Sequence, residues 1–216
     1  MNEKRLEKKF VFEEGDFSYN YFILNAMLKK TYPQRKINSI YFDTQTYGDV
    51  WDNINGFGNR DKSRIRWYNE INDTNVFFEQ KKKINFVTHK EVIKIGRFKN
   101  YFELSNYLDG EKFLNSDYLN KKQKNRVKSL LVQYDRNYYE LPNKKLRLTV
   151  DNNIRIYNKF PNNFLKLTHT IIELKFKVNN SDYVNKFVYR YKLNNRNKKF
   201  SKYVNSFISL NDSGLV

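Results

Sequence analysis

The chain has no cysteine, which excludes a disulfide framework and any thiolate metal site. It has only two histidines, so a zinc site lacks ligands, and a metal would have to be held by carboxylates. That donor chemistry points to Mg²⁺ or Mn²⁺. Proline (3) and glycine (7) are few, and no repeat or low-complexity linker is present. No GxxxxGK[ST] phosphate loop occurs, so any phosphate site must be built from side chains. No apolar run approaches the roughly 18 residues of a membrane span. Met1 to Lys9 is charged and has no apolar signal core, so the expectation is a cytoplasmic protein with no membrane segment. The last shortage is of negative charge: 23 Asp and Glu stand against 41 Lys and Arg, a formal net charge of +18.

What is present is an aromatic, basic chain of 216 residues with 18 Phe and 17 Tyr. That length suits one domain over residues 1–216, with enough apolar surface for a sizeable core. The charge implies a polyanionic partner: nucleic acid, nucleotide, polyphosphate or an anionic membrane surface. The plainer alternative is a surface coated with abundant lysine.

Apolar and charged residues alternate over Leu6 to Phe12, Ile37 to Phe42, Lys62 to Asn69, Val76 to Lys83, Val87 to Ile95, Leu131 to Glu140, Lys145 to Val150, Ile154 to Tyr157 and Thr170 to Lys177. These stretches are predicted strands. Helical spacing predicts a helix from Phe17 to Tyr32, stopped by Pro33, and two helices between Arg97 and Leu131 broken near Asp109-Gly110. Two more are expected near Tyr183 to Tyr191 and Lys198 to Leu210. His89 and His169 read as surface or strand-end residues.

Five strands repeat one feature. Glu7/Lys9, Arg64/Arg66, Glu79/Lys81/Lys83, Arg147/Asp151 and Glu173/Lys175/Lys177 each share a face, and the opposite face is apolar. The pattern suits an open antiparallel sheet with a solvated charged face. It also suits about eight strands closed into a barrel, charged inside and covered by helices outside. The second reading is preferred, because Arg-rich, mixed-sign pairs recur at matching depth. The expected fold is therefore α+β: a closed antiparallel eight-stranded β-barrel with helices packed on the outside. Arg forks and Lys point charges in such a tunnel would grip phosphate oxygens, and carboxylates among them would need a bridging divalent cation.

This ordered set resembles the triphosphate tunnel metalloenzymes, and within them the VTC-type polyphosphate polymerase domain. Ser39-Ile40-Tyr41-Phe42-Asp43-Thr44, Arg64-Ile65-Arg66-Trp67-Tyr68, Arg136 after Tyr134-Asp135, and Ser201-Lys202-Tyr203 carry the likeness over nearly the whole chain. The resemblance implies transfer of the γ-phosphate of ATP to a growing inorganic polyphosphate chain, dependent on Mn²⁺ or Mg²⁺. It implies catalytic roles for Lys9, Arg64, Arg66, Lys81, Arg136, Arg147 and Lys202. Lys83, Lys90, Lys175, Lys199 and Ser201 would bind substrate, and Glu173 with Glu7 would hold the metal. ATP and inorganic polyphosphate are the expected partners.

Two alternatives remain at this stage. One is a tunnel triphosphatase, in which water attacks a nucleoside triphosphate or inorganic triphosphate. The other is a non-enzymatic module that binds nucleic acid, which requires exposed aromatics beside the basic residues. Nucleic acid is not the expected partner, because the aromatics mostly alternate away from the charges, as Trp67 does from Arg66.

Overall fold

Period-two alternation governs most of the chain, and in the computed structural model it becomes one antiparallel nine-stranded sheet flanked by helices. The structure describes residues 5–13, 15, 22–23, 25–85, 87–117, 119–158, 163–193 and 200–214. The strands are β1 (Arg5–Phe12), β2 (Lys29–Asp43), β3 (Arg60–Tyr68), β4 (Thr74–Ile84), β5 (Val87–Phe98), β6 (Val127–Glu140), β7 (Arg147–Tyr157), β8 (Leu165–Leu167) and β9 (Thr170–Lys177). The described helices are α1 (Gly48–Ile54), α2 (Tyr101–Asp109), α3 (Glu111–Leu114), α4 (Lys121–Lys124), α5 (Ser181–Arg190) and α6 (Lys202–Asp212).

The strand order is β1-β9-β7-β6-β2-β3-β4-β5, with β8 beside β7. It ends at β1 and β5, and no ladder joins those two among the described residues. The closed eight-stranded barrel of the sequence reading is thereby corrected to a nine-stranded sheet with two edges. Edge strand β5 is protected by exposed charge at Lys90, Glu91, Lys94 and Arg97, which discourages the addition of a further strand.

Contacts divide the chain into two compact units. The first comprises residues 1–35, 134–154 and 166–201. Its core takes one face of each strand: Phe10 and Phe12 of β1, Leu148 and Val150 of β7, and Ile172, Leu174 and Phe176 of β9 pack against Val184, Phe187 and Val188 of α5. The second unit comprises residues 36–133, 155–165 and 202–216. There Ile40, Phe42, Ile65, Trp67, Val76 and Phe78 pack against Leu104, Leu108 and Phe113 of α2 and α3. Ile65 and Trp67 thus lie beneath helices, as the alternation implied.

Three helix expectations need correction. The helix read as running to Tyr32 ends earlier: Met27 adopts φ 52, and β2 begins at Lys29. Phe17, Tyr21 and Leu24, which were to form its apolar side, lie outside the described residues. Pro33 therefore sits inside a strand. The ladder from β2 to β3 covers only Ile37 to Phe42, so a residue with no N–H to give is tolerated before it. The break at Gly110 is present, but the second helix expected before Leu131 is not. In its place come α3, the single turn α4, and β6 from Val127. Leu130, Leu131 and Val132 are all buried, and a strand covered on both faces loses the period that separates it from a helix. The last helix starts at Lys202, and Lys198 lies outside the described residues.

Strand β7 joins two stretches read as separate. Asn153, with φ 51, carries the chain between them, a conformation Asn tolerates better than most residues.

Candidate functional site

In the second unit, strand pairing sets the charged residues into rows. Lys62 of β3 lies opposite Lys81 of β4, which lies opposite Lys90 of β5; Arg64 faces Glu79, and Arg60 faces Lys83. With Arg66 and Lys94, which lie on either side of Phe77 in the next row, eight cations share one face of these paired rows around a single carboxylate, Glu79. Like charges placed directly opposite across a ladder are destabilising, so this face is suited to an anion that neutralises them.

Glu79 organises the nearest cations. Arg64 donates to its Oε2 from Nε (2.7 Å) and Nη2 (2.5 Å), Lys90 Nζ donates to Oε1 (3.0 Å), and Arg66 Nη1 is 3.5 Å away. Burial raises the Glu79 carboxyl, but Arg64, Arg66 and Lys90 override it and bring its pKa down to about 2. It stays ionised at neutral pH. Arg66, itself buried, is steered further by Ser39, whose Oγ accepts from Nε and Nη2 at 3.1 Å each. Lys81 and Lys90 are exposed and Lys83 is partly buried.

Tyr41 lies on the same face. Its hydroxyl accepts from Arg64 Nη1 at 3.2 Å, and the Lys62 and Arg64 cations sit 5.7 and 5.9 Å from its ring centroid. Burial pushes the Tyr41 phenol up; Arg64, Lys62 and Arg66 more than offset that and lower it to about 7. An absorbance titration should therefore show one of the 17 tyrosines ionising near neutrality, and Tyr41→Phe should abolish that step. A titration in which every tyrosine ionises near 10 contradicts this account.

The two motifs at β2 and α6 meet here. Tyr203 stacks on Tyr41 with centroids 4.7 Å apart; its hydroxyl donates to Asp43 Oδ2 (2.6 Å) and lies 3.0 Å from Ser129 Oγ. Burial and Asp43 hold the Tyr203 phenol well above its ordinary value, so it remains a donor. Fully buried Asp43 also accepts the backbone N–H groups of Thr44, Asp49 and Val50, anchoring the first turn of α1. The Tyr of Ser201-Lys202-Tyr203 thus fixes the helix that Lys202 opens. Lys202 is partly buried.

In the first unit the face is more nearly balanced. Lys9 faces Glu173, which faces Thr149; Glu7 faces Lys175, which faces Arg147. Arg136 of β6 grips Asp151 with two hydrogen bonds, Nε to Oδ1 at 2.5 Å and Nη2 to Oδ2 at 2.6 Å, and its Nη2 is 3.9 Å from Glu173 Oε2. Burial lowers the Arg136 guanidinium, but Asp151 in particular holds it well above its ordinary value. Lys9 reaches Glu7 at 3.0 Å and donates to the Phe200 carbonyl at 3.4 Å. Burial lowers its ammonium, and Glu173, Glu7 and Asp151 raise it to a net value above the ordinary one. Lys175 pairs with Glu173 at 2.8 Å. Arg147 is exposed and reaches Glu140 Oε1 at 3.1 Å. Ser201 Oγ is buried and makes no hydrogen bond among the described residues. Lys199 lies outside the described residues.

The carboxylates here test the metal expectation. Asp151 is taken up by Arg136, and the described residues contain no group of three His, Cys, Asp or Glu able to hold an ion. Glu173 and Glu7 nevertheless occupy one face of neighbouring strands in successive rows, with Lys9 paired to Glu7 and directly opposite Glu173 in the ladder. One or two carboxylates, completed by phosphate oxygens and water, are the donor set Mg²⁺ ordinarily takes, so the two residues fit such an ion.

Sequence reading assigned no role to Glu79, Lys62 or Tyr41. Lys62 was legible in principle, because it stands two residues before Arg64 on the same face.

Strand pairing thus places rows of charged side chains on one face of the strands in each unit. The chain belongs to the VTC domain family, whose model matches residues 4–211. No curated protein matches it in sequence. Similar solved structures include a protein of Pyrococcus horikoshii (12% identity, 94% of this chain and 99% of that one, TM-score 0.57). A candidate adenylate cyclase of Bacillus halodurans is also similar (11% identity, 92% and 94%, TM-score 0.55). So is a candidate adenylyl cyclase of Hippeastrum described as having a dominant triphosphatase activity (14% identity, 98% and 97%, TM-score 0.50). At these identities the likeness is one of fold. Among the described residues no helix is long and apolar enough to cross a membrane.

Proposed function

We propose that this protein is a metal-dependent phosphotransferase that moves the γ-phosphate of ATP onto the end of an inorganic polyphosphate chain. The observation that carries the reading is the row Lys62, Lys81 and Lys90 beside Arg64 and Arg66, an anion-binding wall with one carboxylate. Membership of the VTC domain family supports it.

The chemistry asks little of the protein beyond charge and alignment. The bond between the γ-phosphorus and its bridging oxygen breaks, ADP leaves with the electron pair, and a terminal oxygen of the acceptor chain bonds to phosphorus. That oxygen is already anionic and needs no general base. Arg64, Arg66, Lys81, Lys83 and Lys90 would neutralise phosphate oxygens on their face. Lys9, Arg136, Arg147 and Lys175 would do so on theirs, with Lys199, Ser201 and Lys202 meeting the polymer. Glu173 and Glu7 would hold Mn²⁺ or Mg²⁺, which when bound supplies charge neutralisation at the phosphates.

A second reading keeps the same faces and replaces the acceptor by water; the triphosphatase activity described for the Hippeastrum protein favours it. Incubation with ATP and Mn²⁺ followed by gel electrophoresis separates the two. Long phosphate chains with ADP are expected. Orthophosphate and ADP without chains would exclude the polymerase and establish the triphosphatase.

A further inference from the structure

Arg64 is engaged at every nitrogen before any ligand arrives. Its Nε and Nη2 donate to Glu79 Oε2, and its Nη1 donates to the Tyr41 hydroxyl at 3.2 Å. The Tyr41 oxygen thus takes a place on the guanidinium that suits a phosphate oxygen. Tyr41 and Arg64 stand directly opposite each other in the ladder between β2 and β3, so register sets the contact. Both residues and all the groups around them belong to the second unit.

The surroundings of this phenol favour loss of its proton. Tyr41 is 1% exposed, so little water reaches it. From β3, Lys62, Arg64 and Arg66 present positive charge to it, and they outweigh the effect of burial. Its oxygen accepts from Arg64, while its own O–H finds no acceptor among the described residues. The nearby carboxylates are already committed. Glu79 of β4 is met by Arg64, Arg66 and Lys90. Asp43 of β2 is met by Tyr203 and three backbone N–H groups, and Asp49 of α1 by Arg126. Tyr203 of α6, stacked on the ring, shares its hydroxyl with Asp43 and with Ser129 of β6. A phenolate and a bound polyanion would therefore compete for the same cations. An anion on Lys62 and Arg64 cancels the positive field that keeps the proton off, and the phenol re-forms.

We infer that Tyr41 is a proton-linked stand-in for phosphate on Arg64: a polyanion binds the cation wall as the Tyr41 oxygen takes up one proton from solvent, so binding weakens as pH rises above neutrality. The inference rests on the polyanion-binding reading above and adds its control. Tyr41 acts through Arg64 and is a positioning residue. The sign follows from linkage. At mildly acid pH the phenol is already present and binding is level; at alkaline pH the proton must be supplied on binding, at a cost of about tenfold in affinity per pH unit.

Long-chain inorganic polyphosphate, whose internal phosphates do not titrate near neutrality, is the probe. Its affinity for the wild type should be level up to about pH 7 and then fall about tenfold per unit to about pH 9. Tyr41→Phe should hold its affinity within about threefold over the same range, because no proton is then linked to binding. At pH 8 the polymer should also bleach the tyrosinate absorbance of the wild type by one tyrosine per protein and leave that of Tyr41→Phe unchanged. A purely structural role for Tyr41 would move affinity equally at every pH. Wild-type affinity that is level throughout, absence of bleaching on binding, or the same alkaline fall in Tyr41→Phe overturns the inference and leaves the polyanion-binding reading standing. A wild-type protein that binds polyphosphate at no pH removes that reading, and the inference with it.

Discussion

Replacing Arg126 by methionine should destabilise the second unit by about 3–5 kcal/mol, the usual cost of stranding a buried charge. The Arg126 side chain has no solvent exposure. It donates to Asp49 Oδ1 from Nη2 (2.6 Å) and to Ser63 Oγ from Nη1 (3.1 Å), and it lies 3.9 Å from Asp61 Oδ2. Gln80 holds both oxygens of Asp61, at 3.0 and 2.9 Å. The cluster thereby ties α1, β3 and β4 to the residue that precedes β6. Removing the cation leaves Asp49 and Asp61 buried with no charge partner in the cluster.

The loss should grow with pH. Burial raises Asp49, Arg126 opposes that, and Asp43 and Asp61 add to the rise, to about 7. Without Arg126 the carboxyl rises further and keeps its proton through neutral pH, which relieves the folded state there but not at alkaline pH. Both tryptophans, Trp51 and Trp67, lie in this unit, so urea unfolding followed by their fluorescence reports on it specifically. A change under about 1 kcal/mol, in the range of surface pairs, would mean that the cluster is not the buried charge site described. Replacing Arg126 and Asp49 together by methionine and leucine should recover most of the loss, since apolar groups fill a buried pair's place at little cost.

Arg66→Gln should lower phosphoryl transfer by about 10²–10³ while the protein stays folded, the usual effect of deleting one preorganised donor at a reacting phosphate or oxyanion. Arg66 is held from two sides, by Ser39 and Glu79, so its guanidinium is aimed before any ligand arrives. Glutamine keeps a donor for Ser39 and much of the volume, and Glu79 retains Arg64 and Lys90. Removing one lining cation relieves repulsion among the others, which by itself would stabilise the fold. The ion pairs around Glu79 argue instead for little change in either direction. Turnover within about threefold of wild type would remove Arg66 from the chemistry.

The charged faces were legible because side-chain direction in a strand is local. Arg64, Arg66 and Trp67 reveal their opposite sides by position alone, and so do Glu173 and Leu174. The role of Glu79 was not legible. Whether a carboxylate repels phosphate, binds metal or organises arginines depends on which strand lies beside it. Arg126 was hidden for a related reason: one basic residue among 41 gives no sign that it is buried. Tyr203 was noted as part of a motif, yet its partner Asp43 lies 160 residues away.

Taken alone, the sequence determined which residues share a face and that one face carries Lys and Arg, since the pleat fixes both from neighbour to neighbour. It also excluded cysteine chemistry and a Gly-rich phosphate loop outright. Tertiary structure decided that the sheet has nine strands and two edges. It also decided that one face is a cation wall around Glu79, whereas the other balances Glu7, Asp151 and Glu173 against its cations. Those outcomes rest on ladder register between distant segments, and a shift of one residue would turn every charge to the opposite side.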